Sequence, residues 1–218
     1  MKLSRRLETI VSLVSPCRTA ADIGTDHALV PVTLLERGIC EKAIAADLRP
    51  GPLEGAGALV KERGLSGCIE LREGDGLKVL KPGEADVVII TGMGGALMQR
   101  ILKEGEAVAF SARQLILSPQ SELPEFRRFL QQEGYTILFE RVVEEDGKFY
   151  FILSVVPGRR QELTVEEIGF GVHILENDFP DYKRYLEREL NIQKSILTEL
   201  SGNHGRKKAV KETKETRR

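Results

Sequence analysis

The chain has 218 residues, 41% hydrophobic and 30% charged, with a net charge of −1. That is the composition of a water-soluble globular protein, long enough for one well-buried domain plus an appendage, and a charge this near zero singles out no partner class. No apolar stretch reaches the roughly 20 residues of a membrane-crossing helix. Cys17, Cys40 and Cys68 are odd in number and widely spaced, which argues against a disulfide framework and a zinc cluster and fits a reducing cytoplasm.

Leu3, Leu7, Ile10, Val11 and Val14 recur at helical spacing and Pro16 ends the run, predicting an amphipathic leading helix over 1–16. Arg5 and Arg6 are followed at once by Glu8, with no long apolar region behind them, unlike a secretion signal. A first strand is expected over 19–24 and a helix over 28–37, closed by Gly38. Lys42-Ala-Ile-Ala-Ala-Asp47 reads as a second buried strand. Arg49-Pro-Gly-Pro52 opens a helix that Gly64 stops. Strands are expected at 69–73, at 85–91 (an almost continuous β-branched run) and at 115–117. Glycine-rich Gly92-Met-Gly-Gly95 starts a helix to about 103, and Pro124 starts another to 133. Two last strands, 135–143 and 148–156, flank the acidic turn Glu144-Glu-Asp-Gly147. Strands alternating with helices, then a hairpin, predict an α/β fold with a mostly parallel sheet and an antiparallel strand near its end.

The period changes beyond Pro157. Val165, Ile168, Val172, Leu175 and Phe179 step by three and four, 177–180 interrupt, and Tyr182, Leu186, Leu190, Leu197 and Leu200 resume. This predicts a C-terminal helical hairpin or short coiled coil. The expected division is therefore a domain over 1–157, a helical extension over 158–203 and a basic, disordered tail over 204–218, where seven basic residues face Glu212 and Glu215.

Four polar or glycine-rich clusters end consecutive strands: Asp22-Ile-Gly-Thr-Asp-His27, Asp47, Gly74-Asp-Gly76 and Thr91-Gly-Met-Gly-Gly95. The ends of parallel strands share one edge of the sheet, so these clusters converge. The first turn lacks the G-x-G-x-x-G spacing, and its two acids would repel a pyrophosphate. They favour a ligand with a cationic amine and hydroxyls, such as S-adenosylmethionine (SAM). Gly24 lets backbone approach the ligand. Asp47 is placed to accept from both hydroxyls of a ribose, or alternatively to cap the following helix. Asp75 is placed to accept from an adenine amino group beside the backbone N–H of Gly76, or simply to form a turn. His27 reads either as a base or as a hydrogen-bonded structural residue. No close metal-ligand spacing appears.

Asp22-Ile-Gly-Thr-Asp-His-Ala28, Gly74-Asp-Gly76, Gly92-Met-Gly-Gly95, Leu117-Ser-Pro-Gln120 and Glu144-Glu-Asp-Gly-Lys148 resemble the bacterial tRNA (adenine-N1)-methyltransferases, which modify the adenine at position twenty-two of tRNA. The resemblance covers about 3–156 and extends to the coiled-coil appendage. It implies a Rossmann-like SAM domain, tRNA as substrate and a helical extension that helps hold it; separately, no metal and no membrane are expected, and a monomer is favoured. Asp22, Gly24, Asp26, His27, Asp47, Asp75, Gly76, Thr91, Gly92 and Met93 would then line the cofactor, and Leu29, Gly94 and Gly95 the target base. Leu29 stands where members of the family often carry an aromatic ring, so it offers an apolar contact without a π-face. Adenine N1 keeps an in-plane lone pair and needs no general base, so catalysis is expected from positioning, with Asp26 stabilising the cationic product base. A small-molecule methyltransferase and a non-catalytic SAM-sensing RNA-binding protein are the alternatives.

Overall fold

The seven strands are β1 (Cys17–Ile23), β2 (Cys40–Asp47), β3 (Ile69–Glu73), β4 (Val87–Met93), β5 (Gln114–Pro119), β6 (Tyr135–Glu145) and β7 (Lys148–Pro157), and they form one sheet in the order β3-β2-β1-β4-β5-β7-β6. The computed structural model describes residues 3–158, 161–174 and 178–215, with side chains as far as 200. β1 to β5 are mutually parallel where they pair, and β7 runs antiparallel to both β5 and β6. The apolar runs of the inner strands follow from burial on both faces: Val87, Val88, Ile89, Ile90, Leu115, Ile116 and Leu117 are at most 1% exposed.

The helices are α1 (Arg5–Leu13), α2 (Leu29–Glu36), α3 (Pro50–Glu62), α4 (Gly95–Glu104), α5 (Glu106–Ser111) and α6 (Leu123–Gln132). The Ser4 hydroxyl caps α1 by accepting from Leu7 N at 3.3 Å, and α1 buries Ile10, Val11 and Leu13. α2 starts at Leu29 rather than at the expected 28, because His27 and Ala28 both adopt the left-handed conformation, with φ of 55°. Pro50 opens α3 as expected. Two short pieces were not foreseen, α5 and a 3₁₀ turn over Gly76–Val79. Neither is long enough to carry a helical period.

The topology brings the functional edge together. The C-terminal ends of β1, β2, β4 and β5 lie side by side, and β7 pairs Leu153 with Leu117 in antiparallel sense. The tip of the β6–β7 hairpin therefore stands at that same edge. Its turn is the expected Asp-Gly pair, Asp146 and Gly147 having φ of 50° and 72°.

The chain divides into two compact units, Met1–Phe179 and Pro180–Arg218. In the first, the segment after β7 forms α7 (Val165–Phe170), which opens with a capping box between Thr164 and Glu167 and ends at Gly171, φ 130°. It is shorter than the period suggested, since only glycine readily takes that backbone. Beneath it Arg127 and Glu140 form a two-pronged pair, both bonds 2.8 Å, at 1% and 0% exposure. Arg127 also donates to Ile168 O at 3.0 Å and Glu140 accepts from Val172 N at 3.0 Å. The second unit belongs to a single helix, α8 (Phe179–Glu215), with Pro180 in its first turn, and it continues through 204–215 where a tail was expected. Part of the expected break, Asn177, lies outside the described residues.

Candidate functional site

A cleft of about 310 Å³ opens at the C-terminal edge of β1, β2, β4 and β5. Asp22, Gly24, Asp26, Leu29, Asp47, Thr91, Gly92 and Met93 all line it. Eight of the sequence candidates, from three strand ends and the start of α2, thus meet in one hollow, as the topology rule for open α/β sheets requires.

The β1 turn is pinned to β2: Gly24 N and Thr25 N both donate to Ala46 O, at 2.8 and 2.9 Å. Asp22 lies beneath the turn, 6% exposed, and the Thr25 hydroxyl donates to its Oδ2 at 2.6 Å. Burial pushes the Asp22 carboxyl up from 3.8 to about 6; the Thr25 hydrogen bond opposes this, and the negative Asp26 and Asp47 add to it. Gly24 has φ of 77°, and a Cβ there would overlap the Met93 Cε methyl. The tip of the Met93 side chain therefore lies in the space that a Cβ at Gly24 would take. Gly92, φ 80°, is the extra residue of a bulge, the β4–β5 register shifting between Thr91 and Met93. Such a bulge bends the strand end and re-aims its side chains.

Asp47 accepts from Arg49 N through Oδ1 at 2.8 Å. The N-cap of α3 is Arg49, not Asp47, and among the described residues Oδ2 of Asp47 accepts no hydrogen bond. The helix-cap alternative does not describe it; one carboxylate oxygen remains for a ligand. Asp26, by contrast, projects its side chain outward at 85% exposure, with Oδ1 3.5 Å from His27 Nε2.

Five candidates lie outside the cleft lining. His27 turns its ring onto α3, where a Cβ on Gly55 would collide with Nδ1 and Cε1. Asp75 forms ion pairs with Lys78 at 3.1 Å and Arg100 at 3.2 Å, and these two cations, Lys78 foremost, hold its carboxyl below the usual range. Gly76 sits against Ile101, where a Cβ would stand 3.0 Å from the side chain. Gly94 is the N-cap of α4. A Cβ on Gly95 would stand 2.6 Å from Ser121 O, and Ser121 Oγ and Glu122 Oε2 take the first amides of α4, from Gly95 and Ala96. The second and third glycines of this motif serve the close approach of α4 to the 121–122 loop.

Sequence reasoning missed five cleft residues: Arg6, Leu7, Val30, Arg49 and Gln120. Gln120 was legible, because it follows the fifth strand end and its amide donates to Met93 O at 2.8 Å. Arg6 and Leu7, on the leading helix, carried no such signal. The larger hollow, about 550 Å³, opens at the opposite edge, at the starts of β1, β2 and β3. Several of its charged groups are engaged: Arg72 pairs with Glu70 and Glu84, and Asp86 Oδ2 accepts from Arg18 N and Thr19 N.

Residues 3–153 match the family model of a methyltransferase domain. A tRNA (adenine(22)-N(1))-methyltransferase of Bacillus subtilis is 39% identical over 160 residues, covering 73% of this chain and 67% of that protein. A Streptococcus pneumoniae protein in complex with S-adenosyl-L-methionine matches with a TM-score of 0.84 and 34% identity, over 89% of this chain and 91% of that one. M. capricolum TrmK in complex with S-adenosyl-homocysteine matches with a TM-score of 0.80 and 29% identity, over 91% of this chain and 88% of that one.

Proposed function

The chain belongs to the methyltransferase-domain family, and within it to the tRNA (adenine-N1)-methyltransferases; from that premise we propose that its C-edge cleft holds SAM and directs the methyl group to N1 of an adenine in tRNA. The observation that carries the reading is the meeting of Asp22, Asp26 and Asp47 with Gly24, Gly92 and Met93 in one hollow. Three carboxylates complement a ligand bearing a sulfonium and an ammonium. Asp47 Oδ2, without a hydrogen bond among the described residues, fits a ribose hydroxyl. The backbone of Gly24 and Gly92 offers close approach without a Cβ.

Bound SAM supplies an electrophilic methyl, which the in-plane lone pair of adenine N1 takes in line, the N–C bond forming as the C–S bond breaks. No proton leaves N1, so the chain needs no general base there. Its work is to align the two reactants and hold them at the angle of attack. The positive charge that starts on sulfur ends on the methylated base, and Asp26, 85% exposed at the mouth, is placed to stabilise it there. N1 lies on the Watson–Crick edge, so the target base enters the cleft unpaired. Leu29 and Val30 give that base an apolar wall. No helix among the described residues is long and apolar enough to cross a membrane.

The test is incubation of unmodified bacterial tRNA with methyl-labelled SAM, followed by nuclease digestion and mapping. The reading expects one N1-methyladenosine per tRNA, at position twenty-two. Label confined to another base, or transferred only to small molecules, contradicts it.

A further inference from the structure

Arg6 lines the cleft, yet among the described residues its guanidinium takes part in no ion pair. Its Nε is buried without a hydrogen-bond partner. The other cleft cation, Arg49, is 78% exposed and lies 3.7 Å from Asp47. The Arg6 guanidinium is instead held against an aromatic ring, its Cζ 4.9 Å from the Tyr150 centroid on β7. Its backbone is also fixed, the amide donating to Glu145 Oε1 at 3.0 Å beside the hairpin turn.

A buried donor with no partner is costly, and a guanidinium more so than a neutral group. Here the surroundings restrain the fork and leave its donors unused. Packing on Tyr150 reduces the rotamer freedom that binding would otherwise have to remove. Among the described residues no cleft acid lies within ion-pair distance of it, so Arg6 does not serve as a counterion for the protein's own charge.

We propose that Arg6, packed on Tyr150, is the oxyanion receptor of the cleft: it donates through its planar fork to a carboxylate or phosphate. Two ligands of the reaction carry such a group, the methionine carboxylate of SAM and the backbone phosphate of the target nucleotide. The proposal rests on the function given above. It also assigns a purpose to the hairpin sequence Glu144-Glu-Asp-Gly-Lys148, which brings Tyr150 and Glu145 to the cleft edge and fixes Arg6 between them.

The experiment compares wild type with Arg6→Ala and Arg6→Lys in three titrations: SAM, 5′-methylthioadenosine (which lacks the amino-acid moiety) and tRNA. If the oxyanion is the carboxylate, R6A weakens SAM by about tenfold or more and leaves 5′-methylthioadenosine unchanged. If it is the phosphate, SAM affinity is unchanged, the KM for tRNA rises about tenfold or more, and the slope of log affinity against log salt falls by about one. In either case R6K recovers part of the loss, since an ammonium keeps the charge without the fork. R6A within twofold of wild type on all three ligands overturns the proposal. So does an equal loss on all three accompanied by a fall in Tm, the result of a purely structural role. A wild-type protein that neither binds SAM nor methylates tRNA overturns the functional reading and this proposal with it.

Discussion

A methyl group on Gly24 would overlap the Met93 methyl, so the Met93 side chain reaches from the β4 end to the β1 turn inside the cleft that both line. It links the acid-lined side, from Asp22 to Asp47, with the side formed by Thr91, Gly92 and Gln120. Gly24→Ala should therefore cost more than a positive φ alone, roughly 1–3 kcal/mol, and should weaken SAM binding as Met93 is displaced. Gly92→Ala is the internal control, because its φ of 80° is equally unfavourable but nothing lies within 4 Å of the new Cβ. Urea unfolding of both variants checks this; equal losses would show that the Met93 approach is not tight.

The buried Asp22 makes the protein's stability depend on pH in the mildly acidic range, favouring the folded state at the acid end. Its folded carboxyl titrates near 6, above the ordinary 3.8, chiefly because burial disfavours the anion. Between those values the folded state holds a proton that the unfolded chain releases, so this group's contribution to stability falls as pH rises from about 4 to about 6. Asp22→Asn should remove that slope, by an amount on the order of 2–3 kcal/mol across the window. SAM binding should run the other way, strengthening as pH rises through about 6 and Asp22 becomes anionic. Calorimetry at pH 5 and 8 reads both effects, and a wild-type SAM affinity that does not change between them would remove Asp22 from the site.

Asp47 offers one unused carboxylate oxygen. Asp47→Ala should raise the Kd for SAM by about tenfold or more, the loss of a charge-assisted hydrogen bond to a ribose. α3 does not use this side chain as its cap, so Tm should change little. A fall in Tm with SAM affinity intact would make Asp47 a structural residue of the β2 turn.

Arg127 and Glu140 face each other in the interior at 1% and 0% exposure, with the Phe151 ring 5.1 Å from the guanidinium. Arg127→Met should destabilise by about 3–5 kcal/mol, because it strands the Glu140 carboxylate without its cation. Adding Glu140→Gln should recover part of that loss. A double-mutant cycle by chemical unfolding measures the coupling; a single variant that costs under about 1 kcal/mol would mean the pair is solvated in solution.

The strands and their mostly parallel sheet were legible because the inner strands are buried on both faces and read as apolar, β-branched runs such as 87–90. The converging strand ends followed from that, and they located Asp22, Gly24, Asp47 and Gly92. What could not be read depends on partners distant in sequence. Asp75 looked like an open acceptor until Arg100 of α4 and Lys78 were placed against it. His27 read either as a base or as a structural residue, and the side of its ring that lies against Gly55 of α3 could not be read at all. Gly95 looked like a platform for the base, but its missing Cβ makes room for the 121–122 loop. Arg6 reaches the cleft only because the β6–β7 hairpin folds back beside α1, a relation between residues about 140 apart that no local pattern encodes.

The most direct test of the central claim is amide hydrogen exchange with and without S-adenosylhomocysteine. The account predicts that added ligand slows exchange at 22–29, at 47–49 and at 91–93, the three segments around the cleft. Protection at the opposite edge instead, around Arg18, Lys42 and Cys68, or protection nowhere, would contradict it.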